Sequence, residues 1–143
     1  MTGSELPDAD NVVHYVKPSN VQNGIVNAAE FVLVKDGVSI NWLEYFQEKT
    51  TEEQLGQVRQ LIQLTIRSNG RFARLNVGRT KYHISVVGRY LSFIHDPQEA
   101  RPPHKADPSH SLIVGLPPGD SPEAMLVADL ITECILELHS AVA

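Results

Sequence analysis

The stretch RFARLNVGRTKYHISVV, residues 71–87, decides how the rest of the chain is arranged. Gly78-Arg79 suits a two-residue turn with glycine first, so the spacing predicts a β-hairpin. That register sets Val77 against Thr80, Asn76 against Lys81, Leu75 against Tyr82, Arg74 against His83 and Ala73 against Ile84. Strand alternation then gathers Ala73, Leu75, Tyr82 and Ile84 on an apolar face, and Arg74, Asn76, Lys81, His83 and Ser85 on a polar one. A sheet with one buried face follows.

Upstream, EFVLVKDGVSINWLEYF, residues 30–46, reads as a second hairpin about Asp36-Gly37, with Leu33 opposing Ile40 and Phe31 opposing Trp42. Between the two lies TTEEQLGQVRQLIQLTIRSNG, residues 50–70, a predicted helix. Thr50 and Glu53 have capping-box spacing, Leu55, Val58, Leu61, Ile62 and Ile66 recur at helical intervals, and Asn69-Gly70 supplies the stop. Downstream, RYLSFIH and HSLIVGL are strands. Ser121 and Pro122 open a last helix with Val127, Leu130, Ile131, Cys134, Ile135 and Leu138 on its buried stripe. The fold class this order implies is α+β: a mostly antiparallel sheet of about five or six strands with two helices on one face.

The 143 residues are expected to form a single domain over residues 11–143, after a flexible acidic tail at 1–10. The segment before the first hairpin, including VVHYVKPSNVQ, is ambiguous between an extended entry and a break. Hydrophobic residues make up 42% and charged residues 20%, which excludes a mostly disordered chain. No apolar run reaches the roughly 18 to 20 residues that span a bilayer, so no membrane partner is expected. Cys134 is the one cysteine. It excludes an internal disulfide and a multi-thiolate zinc site, and points to a reducing, cytoplasmic location.

Net charge is −5, but its distribution is uneven. Seven of the twelve bases, Arg59, Arg67, Arg71, Arg74, Arg79, Lys81 and Arg89, fall in a segment from Gln54 to His95 that holds no acid. A basic surface over residues 59–89 is therefore expected, with Arg74, Lys81, Asn76, Ser85, Arg71 and Arg79 as anion-binding residues. The preferred function is a small accessory or regulatory binding protein rather than an enzyme. Its partner would be an acidic protein, a second copy of the chain in a homodimer, or a phosphate-bearing small molecule. Nucleic acid is disfavoured, because Phe72, Tyr82, Tyr90 and Phe93 make a poor stacking platform.

The rival reading is a histidine-dependent phosphoesterase or other nucleotide-acting enzyme, with His83, His110 and His95 moving protons. YHISVV resembles the His-x-Ser/Thr element of two-histidine phosphoesterases, a resemblance that implies His83 as acid or base and Ser85 on the phosphate. A second element is absent, since Leu112 stands where a hydroxyl would follow His110. The loop HDPQEARPPHKADPSHS, residues 95–111, holds three histidines among four prolines. His95 and His110 close its two ends, Asp96 and Asp107 read as turn formers, and His104 hangs at the tip. Ligand spacing among His95, Asp96, His104, Asp107 and His110 matches no compact metal motif, and neither metal nor cofactor is expected.

Overall fold

The computed structural model describes residues 3–32 and 35–143. Its strands are β1 (Asn11–Val16), β2 (Val21–Gln22), β3 (Ile25–Val26), β4 (Val38–Trp42), β5 (Arg71–Asn76), β6 (Ser92–His95), β7 (His110–Val114) and β8 (Glu137–Ser140). Its helices are α1 (Thr51–Leu61), α2 (Val77–Ser85) and α3 (Pro122–Thr132). Six strands form one antiparallel sheet in the order β6-β7-β4-β1-β5-β8, while β2 and β3 pair separately. The α+β class expected from the element order is the one the chain adopts. Among the described residues no helix is long and apolar enough to cross a membrane.

Alternation along the central strands divides the core. Val12 and Val16 of β1 and Ala73 and Leu75 of β5 face a cluster completed by Val77 and Ile84 of α2 and by Val127, Ala128 and Ile131 of α3. Val13 and Phe72, one residue out of phase, face a second cluster with Leu55 and Val58 of α1. Helices α2 and α3 thus lie on one face and α1 on the other. Cys134 packs into the first cluster, where burial pushes its thiol pKa up and away from nucleophilic reactivity.

The opening stretch of the sequence is the principal correction. After β5 the chain turns into α2 instead of returning as a strand, because Asn76 caps the helix by accepting from the Arg79 N–H at 2.8 Å. Val77, Thr80 and Ile84 then repeat at helical spacing on the buried side. The hairpin face proposed for Arg74, Asn76, Lys81, His83 and Ser85 therefore does not exist. Residues 3–10, expected as part of a flexible tail, pack against the domain from Gly3 onward. Leu6 is buried and its N–H donates to Phe93, while the carbonyls of Asp8 and Asp10 accept the first N–H groups of α2 from Gly78 and Val77. A Cβ on Gly78 would stand 2.9 Å from that of Asp8, so glycine lets the two segments cross.

The hairpin read around Asp36-Gly37 is also revised. Phe31 ends a single 3-10 turn, Ala28–Phe31, and does not pair with Trp42; Leu33 and Val34 lie outside the described residues. Strand β4 pairs with β7 from Val38 to Asn41 instead. Helix α1 begins with the expected capping box of Thr50 and Glu53, but ends at Leu61, before the predicted stop. Ile62, Thr65 and Ile66 are β-branched and lie beyond the helix, with Ile62 and Ile66 packed against the second core cluster and Thr65 exposed. Helix α3 starts at the predicted Pro122 and stops at Thr132, so Leu138 belongs to strand β8.

The proline-rich loop is an extension of the β6–β7 hairpin. Gln98 and Asp107 exchange backbone hydrogen bonds, as do Arg101 and His104, around a cis Pro102-Pro103 bond. The prolines sit where the ladder needs no donor. Gln63, just past α1, donates to the carbonyls of Glu99 and Lys105 and ties this arm to the body at 2.8 and 2.9 Å.

Candidate active site

Strands β1 and β4 are neighbours for only two residue pairs, Val12 with Trp42 and Val13 with Asn41. Beyond Val13 they part, although β1 stays paired with β5 through Val16 and β4 with β7 back to Val38. A cleft of about 850 Å³ opens at this split, lined by His14, Tyr15 and Lys17 from one side, Val38 and Ser39 from the other, and His110 beyond them. A smaller chamber of about 80 Å³ continues inward past Asn41, Gln98 and Asp107.

The split leaves a backbone acceptor on β4 that an imidazole fills. His14 Nδ1 donates to the Ser39 carbonyl at 2.7 Å, and His14 Nε2 donates to Glu30 Oε1 at 2.8 Å. Both ring nitrogens face oxygen atoms, so the imidazole is held from two sides. Burial raises the Glu30 carboxyl, but hydrogen bonds from His14 and Asn20 and the charges of His14 and Lys17 outweigh it and hold the pKa below the ordinary 4.5. His14 also packs on Phe31, with ring centroids 5.0 Å apart.

Ser39 and His110 are diagonal neighbours on adjacent antiparallel strands, since Asn41 opposes His110 and Ser39 opposes Leu112. The register brings Ser39 Oγ within 3.1 Å of His110 Nε2. On the other side of the ring, His110 Nδ1 donates to the Asp96 carbonyl at 2.8 Å, with Asp96 Oδ2 at 3.3 Å. The carbonyl acceptor commits Nδ1 to donating, and in the neutral ring the Nε2 lone pair then faces the serine hydroxyl. Ser39 is exposed to the cleft and His110 is buried. An accessible hydroxyl, a histidine with a free lone pair and a group that orients the histidine together make a nucleophile–base arrangement.

Behind His110 lies a buried polar network. Asn41 Nδ2 stands 3.0 Å from each carboxylate oxygen of Asp107 and 2.9 Å from Ser109 Oγ, and Ser109 Oγ is 3.3 Å from Asp107 Oδ1. Burial pushes the Asp107 pKa above the ordinary 3.8, against the hydrogen bonds of Asn41 and Ser109 and the proximity of His110. Asp107 thus anchors the site from within and is not a simple turn former.

The other sequence-predicted residues are dispersed. His83 projects from α2 to Glu133 at 3.0 Å, so the His-x-Ser resemblance falls on a helix and not on a strand. His95 opposes Ser111, which puts it on the sheet face opposite His110. It donates to the Pro108 carbonyl at 2.7 Å and packs edge-on to Trp42. Of the anion-binding group, Arg74 pairs with Glu137, Lys81 with Asp8, Ser85 donates to the Tyr82 carbonyl, Arg71 to that of Gly70, and Asn76 caps α2. Arg79 contributes its backbone N–H to that cap. Arg59 and Arg89 meet Glu52 and Glu123. Four of the seven cations of the basic segment are thus paired with acids of the same chain, while Arg67, Arg71 and Arg79 carry no ion pair among the described residues. Among the described residues no group of three or more His, Cys, Asp or Glu side chains is placed to hold a metal ion.

His14 and Ser39 escaped the sequence reading, which took Asp107 for a turn former. His14 sits in the ambiguous segment before the first hairpin, and the signal for it was the lone imidazole inside the β-rich run NVVHYV. Ser39 shows no local signal, since its role depends on the register with β7. Comparison with protein-family models, curated proteins and solved structures finds no match.

Proposed function

We propose that the protein is a small hydrolase of ester substrates, with Ser39 as nucleophile and His110 as general base. The observation that carries this reading is the contact between the exposed Ser39 Oγ and the oriented Nε2 of His110. As Ser39 Oγ bonds to the electrophilic centre of the ester, its proton passes to His110 Nε2. The alcohol leaves with that proton, and a water deprotonated by His110 then releases the acid product and restores Ser39. His14 is a positioning residue, acting through the Ser39 carbonyl, and the inner chamber offers space for a hydrolytic water.

The test is turnover of a panel of p-nitrophenyl esters, acyl and phosphoryl, by the wild type, Ser39→Ala and His110→Ala. A fall of about 100-fold or more in both variants is expected. Turnover that neither substitution changes, or none across the panel, overturns the reading.

A second reading, self-association through the surface of residues 59–89, is supported by its exposed apolar side chains. Tyr82, Val86, Val87 and Tyr90 are exposed on and just after α2. Because most nearby cations are already paired, such a dimer would be held by apolar contact. Sedimentation should then find it unchanged between low and high salt; a monomer at every concentration removes this reading. The lone buried Cys134 supports the cytoplasm as the location of either activity.

A further inference from the structure

The cations that bind a ligand need not be those that cluster in the sequence. Lys17, Lys35 and Arg101 all line the cleft, and none has a carboxylate within ion-pair distance among the described residues. All three belong to the acidic remainder of the chain, outside the basic segment. Of the cleft carboxylates, Glu30 is engaged by His14 and Asn20 with Lys17 near enough to lower its pKa, and Asp96 lies 3.3 Å from His110 Nδ1. Three cations without an ion pair thus face two carboxylates, Asp36 and Asp96, whose charge a neutral His110 does not cancel, and the cleft keeps a surplus of positive charge. The rest of the wall is partly apolar, including Tyr15, Leu112 and Leu64, the last nearly half exposed despite its chemistry. An exposed leucine beside free cations suits a ligand with an anionic end and an apolar body.

We propose that this cleft binds a phosphate-bearing small molecule of nucleotide size, with Lys17, Lys35 and Arg101 holding the phosphate and Leu64 and Tyr15 meeting the organic part. The proposal rests on the reading of the cleft as the substrate site. Arg101 engages phosphate oxygens through its planar fork, and the two lysines act as point charges. Its position at the foot of the proline turn also gives the β6–β7 arm a role in capture.

The experiment is calorimetric titration of the full chain with adenosine monophosphate and with adenosine. The monophosphate should bind and the nucleoside should not. Binding should weaken at least tenfold in the Lys17→Gln/Arg101→Gln double variant and stay unchanged in Lys49→Gln, an exposed cation away from the cleft. Adenosine binding as tightly as its monophosphate, or a double variant as tight as the wild type, overturns the assignment. Ser39→Ala separates the two proposals. Phosphate binding without Ser39-dependent ester turnover sinks the hydrolase reading and supports the anion site. Ser39-dependent turnover without phosphate preference sinks the anion site alone.

Discussion

Asn41 reaches across the sheet to Asp107 and places one amide nitrogen 3.0 Å from both carboxylate oxygens. The carboxylate is buried, carries no ion pair among the described residues, and depends on Asn41 and Ser109 for its hydrogen bonds. Asn41→Ala should therefore cost about 2–3 kcal/mol at neutral pH, because it strands a buried charged group. Since burial raises the Asp107 pKa, the deficit should shrink as pH falls and the carboxyl takes up a proton. Urea unfolding at pH 7 and pH 4 measures both.

Glu30 titrates with the opposite sign. Its native pKa lies below the ordinary 4.5, so it adds stability that is fully present above that value and is lost as pH falls through the native one. Glu30→Gln should lose about 1–3 kcal/mol at pH 7, the range for a charged hydrogen bond. The variant should also show a flatter decline in melting temperature below pH 4.5 than the wild type.

Two glycines should respond in opposite directions. Gly115 has φ +92°, and a Cβ there would stand 2.6 Å from the Tyr90 carbonyl oxygen, so Gly115→Ala should destabilise by about 2 kcal/mol or more. Gly56 lies inside α1 with open space around its Cβ position, and Gly56→Ala should stabilise by roughly 0.5–1 kcal/mol. Thermal melts of both variants test the backbone assignments.

Asp96 orients His110 mainly through its backbone carbonyl, at 2.8 Å, with the carboxylate further off at 3.3 Å. Asp96→Asn should accordingly reduce ester turnover by about tenfold or less, far short of the roughly 100-fold expected for His110→Ala. Equal losses in the two would mean that the carboxylate is the orienting group.

Elements marked by local chemistry were legible in the sequence. The Thr50–Glu53 capping box, Pro122 at the head of α3, and the strands around Phe93 and Ile113 each announce themselves within a few residues. Residues 77–85 were misread because Gly78-Arg79 is equally good turn chemistry, and the choice was made by Asn76 capping and by Asp8 and Asp10 docking from the far end of the chain. Strand β8 was absorbed into α3 because apolar spacing at Cys134 and Leu138 suits either structure. In the site, His110 stood out as a histidine at a strand start. Ser39 and His14 did not, since their meeting depends on β1 parting from β4 after two pairs, a tertiary event with no local signature, and Asp107 read as a turn former because its bond to Asn41 spans 66 residues. The charge layout misled for a similar reason: acids from elsewhere in the chain pair with Arg59, Arg74, Lys81 and Arg89, while Lys17, Lys35 and Arg101 gather at the cleft without an ion pair among the described residues.

The nucleophilic character of Ser39 is tested most directly by labelling the folded protein with a fluorophosphonate and locating the adduct by peptide mass spectrometry. A single adduct on Ser39 is predicted, with a labelling rate about 100-fold lower in His110→Ala. Labelling at another residue, or at Ser39 with a rate indifferent to His110, would contradict the assignment.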